Sequence, residues 1–207
     1  MMEETLYKES EHRSDYTGAK MGMWLFLFTE MLLFGGIFIL YGVYRFKYPA
    51  EFHTAAQELD TTIGAVNTLV LLTSSLTMAL SIAALQKGNK NLSLVFQIVT
   101  MLLGVAFLGN KYMEWGAKIH HGIYPNSEYL LSLGKGQVLF YGLYYVMTGL
   151  HGLHVLIGIG VFVFIFNFTV RGNIASDNTV KLENAGLYWH LVDIIWVYLF
   201  PLFYLIT

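Results

Sequence analysis

Five long apolar runs constrain this chain more than any other feature: Met21 to Tyr44, Thr62 to Gln86, Leu92 to Ala117, Gln137 to Phe168, and Glu183 to Ile206. Each exceeds the roughly 20 apolar residues that a helix needs to cross the hydrocarbon core of a bilayer. In that medium every backbone polar group must be satisfied within its own segment, so runs of this length are helices. The expected fold is therefore all-α, an integral membrane bundle of five transmembrane helices. Residues 1–20 form a polar N-terminal tail, and residues 21–207 form one transmembrane domain. The tail carries Glu3, Glu4, Lys8, Glu11, Arg13 and Asp15 without an apolar stretch, so it does not read as a signal peptide.

Composition removes several functions. A net charge of -2 gives no basic surface for nucleic acid, and the absence of cysteine excludes disulfides, thiolate metal sites and thiol catalysis within this chain. No phosphate-binding glycine loop, serine triad or zinc-protease helix is present. No catalytic, cofactor-binding or metal-binding residue is assigned.

Positive charge gives a direction. Lys8, Arg13, Lys20, Lys87, Lys90, Arg171 and Lys181 fall on the side of the N-terminus, against Arg45, Lys47, Lys118 and Lys135 opposite. Cytoplasmic flanks retain Lys and Arg during insertion, which predicts a cytoplasmic N-terminus and an external C-terminus. The segment Ile119 to Gly136, with Tyr124 and Tyr129, is expected against the membrane surface or a neighbouring subunit. Gly35, Gly36, Gly149, Gly152, Gly158 and Gly160, with Asn67, Thr68, Thr73, Ser74, Ser75, Thr77 and Ser81, suit close helix contacts.

Ionisable side chains at bilayer depth are costly and therefore candidates for function. Glu30 stands nine residues beyond Met21, about 13 Å along a helix. Its own helix offers it no charged partner, and burial in hydrocarbon favours the neutral acid. His151 and His154 share a face of the fourth helix, and His190 and Asp193 repeat that spacing in the fifth. With Glu30 they are the candidates for a proton-linked or lipid-contacting polar cluster. Hydrogen bonding between helices accounts for the histidines more economically than metal. A di-iron bundle would need Glu-x-x-His on two helices, whereas haem needs only two histidines on different helices. Lys111 and Glu114, near the end of the third helix, are expected to reach the interface and pair there. With Asn67, Trp189 and Trp196 they are structural interface candidates, and Trp24, Trp189 and Trp196 are expected to lie against a larger subunit.

Several segments then resemble one family. Met21-Gly22-Met23-Trp24-Leu25-Phe26-Leu27-Phe28-Thr29-Glu30 is similar to the first block of haem-copper oxidase subunit III, which ends in a buried glutamate. Asn67-Thr68 with Leu71-Leu72 and Ser74-Ser75 resembles the next block, and Lys111-Tyr112-Met113-Glu114-Trp115 the third. Gly149-Leu150-His151-Gly152-Leu153-His154-Val155 and Tyr188-Trp189-His190-Leu191-Val192-Asp193-Ile194-Ile195-Trp196 carry the most specific likeness.

The resemblance implies a non-redox subunit of a proton-pumping terminal oxidase such as cytochrome c oxidase. Such a subunit packs on catalytic subunit I beside other oxidase subunits and membrane lipid, and sustains stability and proton uptake. Haem and copper belong to the partners, none to this chain, and phospholipid is a further ligand. Longer members begin with two more helices that form a lipid-filled cleft. The five-helix form implies a bacterial plasma membrane. Subunit III of a quinol oxidase, or a similar accessory protein of nitric oxide reductase, fits the same motifs. A transporter or proton channel using Glu30, His190 and Asp193 lacks broken helices and an inverted repeat. A haem b anchor is the third class.

Overall fold

The computed structural model describes residues 2–174 and 178–205, with side chains from residue 17 onward. Seven helices follow in order among these residues: α1 (Met2–Lys47), α2 (Pro49–Gln57), α3 (Thr61–Gln86), α4 (Lys90–His120), α5 (Glu128–Ser132), α6 (Lys135–Val170) and α7 (Val180–Tyr204). Five are long and apolar enough to cross a membrane: Thr17–Lys47 within α1, and the whole of α3, α4, α6 and α7. The expected spans are all there, longer than read by one to four residues at most ends. Ile206, at the edge of the last expected span, lies outside the described residues. The polar tail is continuous with the first span, since α1 runs as one helix from Met2. Two short helices, α2 and α5, occupy what the sequence reads as loops.

Local chemistry sets the helix ends. The Asp60 carboxylate accepts from the backbone N–H of Thr62 at 2.8 Å and of Ile63 at 3.2 Å, capping α3. Asn89 caps α4 through Leu92 N–H, and Ser127 caps α5 through Leu130 N–H. At α6 the N-cap is Gly134, which has no side chain to offer, and Glu51 of α2 reaches across to accept from Gly136 N–H instead. The turn from α3 into α4 pivots on Gly88 at φ 78°, a left-handed conformation that glycine adopts without strain.

The connection from residue 121 to 134 is tied to its own bundle on one side. Ile123 and Leu130 are buried in the core, and the Tyr145 hydroxyl donates to Ile123 O at 2.5 Å. Tyr124 and Tyr129 do stay exposed.

α3 and α4 form a hairpin joined by hydroxyl and amide contacts: Thr77 to Thr100 at 2.8 Å, Ser81 to Ser93 at 3.0 Å, and Asn110 Nδ2 to Asn67 Oδ1 at 2.9 Å. α7 packs against α3 and α6 and is the most buried span, whereas α1 is peripheral. Trp189 and Trp196 are fully buried in this chain's own core, whereas Trp24 faces outward, at 60% exposure. The expectation that the first two meet another subunit fails because their indoles find donors' work inside: Trp189 Nε1 donates to Ser74 Oγ at 3.0 Å and Trp196 Nε1 to Thr68 Oγ1 at 3.1 Å.

Small residues serve unequally. A methyl group at Gly35, Gly36 or Gly160 would meet nothing within 4 Å among the described residues, whereas one at Gly158 would stand 2.8 Å from the Trp189 ring. Gly158→Ala is therefore expected to lower stability in detergent by about 1–3 kcal/mol through overpacking. Gly160→Ala, with open space, is expected to be neutral or to gain up to about 1 kcal/mol from helix propensity. Urea or SDS unfolding of the purified chain measures both, and equal effects would contradict this packing.

Candidate functional site: an acid–imidazole pair in a membrane groove

The structure divides the expected polar cluster. Glu30 and His154 meet; the other three candidates stand elsewhere. Glu30 Oε2 of α1 lies 2.9 Å from His154 Nε2 of α6, with both side chains largely buried. The partner that α1 itself could not supply comes from a residue 124 positions along the chain. Phe34 closes on the imidazole edge-on, at 5.3 Å between ring centres.

Hydrogen bonding fixes the proton count of this pair. His154 Nδ1 lies 2.7 Å from Leu150 O, and a carbonyl only accepts, so Nδ1 carries a hydrogen. One more proton must then lie between Nε2 and Oε2. It sits either on the carboxyl, donating to a neutral imidazole, or on the imidazole, donating to a carboxylate. Both forms have zero net charge. That is how a carboxyl group at this depth is held without Lys or Arg.

The pair opens into a groove of ≈ 640 Å³ between α1, α6 and α7. Its walls are Met23 and Phe26 from α1, Ile157, Val161 and Ile165 from α6, and Ala185 and Tyr188 from α7, with Lys181 and Asn184 at the rim. From His154 to Ile165 the groove follows α6 for about 16 Å. It is thus apolar along its length, with a cation at its edge and a proton-holding pair at its deep end. The sequence reading missed Lys181, Asn184 and Tyr188 as parts of this site. They precede His190 by nine, six and two residues, at the start of the last span.

His151 is fully buried in an aromatic box, with ring centres 5.3 Å from Phe107 and 5.2 Å from Trp196, and neither ring nitrogen has a partner among the described residues. His190 is half-buried on the α3 side of α7, its Nδ1 2.5 Å from Ser75 Oγ. Asp193 is buried behind it, with neither carboxyl oxygen in a good hydrogen bond. Residues three apart on a helix differ by about 60° in direction, which suffices to send each pair to different neighbours. Among the described residues, no three His, Asp or Glu side chains converge as a metal site would require.

Lys111 and Glu114 pair as expected but do not reach for the interface. They are 7% and 6% exposed. Lys111 Nζ donates to Glu114 Oε2 at 2.9 Å, Tyr204 OH at 2.9 Å and Tyr144 OH at 3.1 Å, using all three of its hydrogens. Both tyrosines donate onward to Glu114 Oε1, at 2.7 and 2.6 Å. Tyrosines from α6 and α7 thus supply inside the bundle what the interface would have supplied.

The Cytochrome c oxidase subunit III family model matches residues 1–207, the whole chain. The chain belongs to this family. It is 32% identical over 185 residues to cytochrome c oxidase subunit 3 of Alkalihalophilus pseudofirmus, covering 89% of this chain and 85% of that one. It is 31% identical over 190 residues to the probable quinol oxidase subunit 3 of Staphylococcus saprophyticus, covering 90% and 88%. It is also 31% identical over 196 residues to the heme-copper oxidase subunit I+III of Aeropyrum pernix, covering 90% of this chain and 22% of that fused protein. This subunit III is accordingly a multi-pass protein of a respiratory membrane and a member of an oxidase complex.

Proposed function

We propose that this subunit III is a non-redox component of a proton-pumping haem-copper terminal oxidase, bound to catalytic subunit I and sustaining its stability and proton uptake. The observation that carries the partner is the Aeropyrum pernix relative, which is named as subunits I and III in one chain. Haem and copper are assigned to the partner subunits. Lys and Arg placement supports a cytoplasmic N-terminus, in a bacterial plasma membrane. The groove over Glu30 and His154 suits one amphiphile, its apolar body along α6 and its headgroup beside Lys181; membrane phospholipid is the assigned occupant.

Cytochrome c is the proposed electron donor. Quinol is the second reading, favoured by relatives named as quinol oxidase subunits at the same identity. Oxygen uptake by the purified complex with each reduced donor separates them.

Extraction from native membranes in mild detergent is expected to yield this chain with a haem-containing partner. Stripping it from the complex is expected to leave the haem spectrum unchanged while activity decays severalfold faster during sustained turnover. A single chain with no haem partner would refute the assembly. Loss of a haem band on stripping would instead assign ligation to His151, His154 or His190.

A further inference from the structure

We infer that the outward stripe of α7 is the seam that docks a transmembrane helix of the catalytic subunit, with His190 as its polar anchor; this rests on the assembly proposed above. Leu187, His190, Ile194, Val197 and Pro201 recur at intervals of three, four, three and four residues. That is the spacing of a helix-packing seam, in which one face meets a second helix at a shallow angle. Among the described residues nothing covers it fully: Leu187 and His190 are half-buried, and Ile194 and Val197 are 52% and 39% exposed.

Depth and hydrogen bonding distinguish this stripe from a lipid-facing surface. His190 is ten residues beyond Val180 in a helix of 25, about 15 Å along its axis and thus near mid-bilayer. Its Nδ1 is engaged by Ser75 Oγ. Its Nε2 has no partner among the described residues and is open at the surface. Exposed hydroxyls on the adjoining helices are already satisfied, Thr29 by Phe26 O and Thr73 by Leu69 O, each at 2.7 Å. Against lipid the imidazole would leave a polar atom stranded in hydrocarbon. Ionisable groups at such depth face protein or an aqueous cavity. A helix seated along the 3-4 stripe, presenting one hydrogen-bonding group at the level of His190, meets both requirements. The lipid groove is separate from it, on the α1 and α6 side of α7.

Photo-crosslinking in the assembled complex in its membrane tests this. A benzophenone amino acid is placed at Ile194, and separately at Leu102 of α4 and Leu156 of α6, which are 63% and 57% exposed. Ile194 is expected to capture the haem-bearing subunit, and the other two positions only lipid. Capture from Leu102 or Leu156 with none from Ile194 would overturn the seam while leaving the assembly intact. No capture from any position, with no haem subunit copurifying, would overturn both. His190→Phe keeps the ring and removes the nitrogens. It is expected to reduce retention of the partner in detergent about threefold, the size of one typical hydrogen bond between membrane helices. Wild-type retention would remove His190 from the anchor role.

Discussion

Glu114→Ala is expected to destabilise the bundle by about 3–5 kcal/mol, because it strips the counter-charge from a buried lysine and leaves the rest of the network in place. Lys111 donates all three of its hydrogens, one to Glu114 and two to tyrosine hydroxyls that themselves donate to Glu114. Without the carboxylate, the ammonium retains two neutral oxygens and the rings of Trp196 and Tyr144, at 5.2 and 5.0 Å. Those cannot replace a full negative charge in a dry interior. Lys111→Met with Glu114→Leu removes both charges together. It is expected to recover most of the loss, keeping about 1–3 kcal/mol for the two hydroxyls left without a carboxylate acceptor. Unfolding of the single and double variants in mixed micelles measures this. A Glu114→Ala chain within about 1 kcal/mol of wild type would mean that Lys111 reaches the interface after all.

That network marks the limit of what the chain reveals as text. The five spans are legible because bilayer thickness sets a run length, and a run length is a local property of sequence. The pairing of Lys111 with Glu114 is local too, one turn of helix apart. Their burial is not local: it depends on Tyr144 and Tyr204, 33 and 93 positions from Lys111, arriving at the same level. The groove is hidden for the same reason. Glu30 and His154 are each conspicuous in sequence, but their meeting requires the relative rotation of α1 and α6. No pattern within either helix encodes that rotation. His151, one turn from His154, shows how little local spacing decides, since it turns into an aromatic box instead.

Glycine teaches the converse. Gly35 and Gly36 look like contact residues, yet a methyl group there would meet nothing within 4 Å among the described residues, whereas Gly104 and Gly158 flank Trp189, each with room for no more than a hydrogen. The information lies in the match between a small residue on one helix and a large one on another. A single sequence records both members without linking them. The short helices α2 and α5 fall below the length at which apolar periodicity is readable, although Pro49 and Ser127 carry the usual start signals.

Glu30→Lys is expected to lower the assembled fraction of the complex about a hundredfold, corresponding to roughly 2.5–3.5 kcal/mol for a cation placed at bilayer depth. The wild-type pair is neutral in either arrangement because one proton serves both groups, and His154 Nδ1 is committed to Leu150 O. Lysine brings a second hydrogen donor and a positive charge against an imidazole that can offer only one nitrogen lone pair. Glu30→Gln is different: its amide donates to the same nitrogen, preserves the neutral pair and keeps the shape of the groove, so assembly near the wild-type level is expected. Reversal of the pair, Glu30→Lys with His154→Glu, restores an opposite charge within reach and is expected to recover at least tenfold over the lysine variant alone. Quantitative blotting of the purified complex against total membrane protein reads all three. Normal assembly of Glu30→Lys would place the side chain in water or at an anionic headgroup rather than in a closed pair. Failure of the reversed pair to improve on the single variant would remove His154 as the group that holds Glu30.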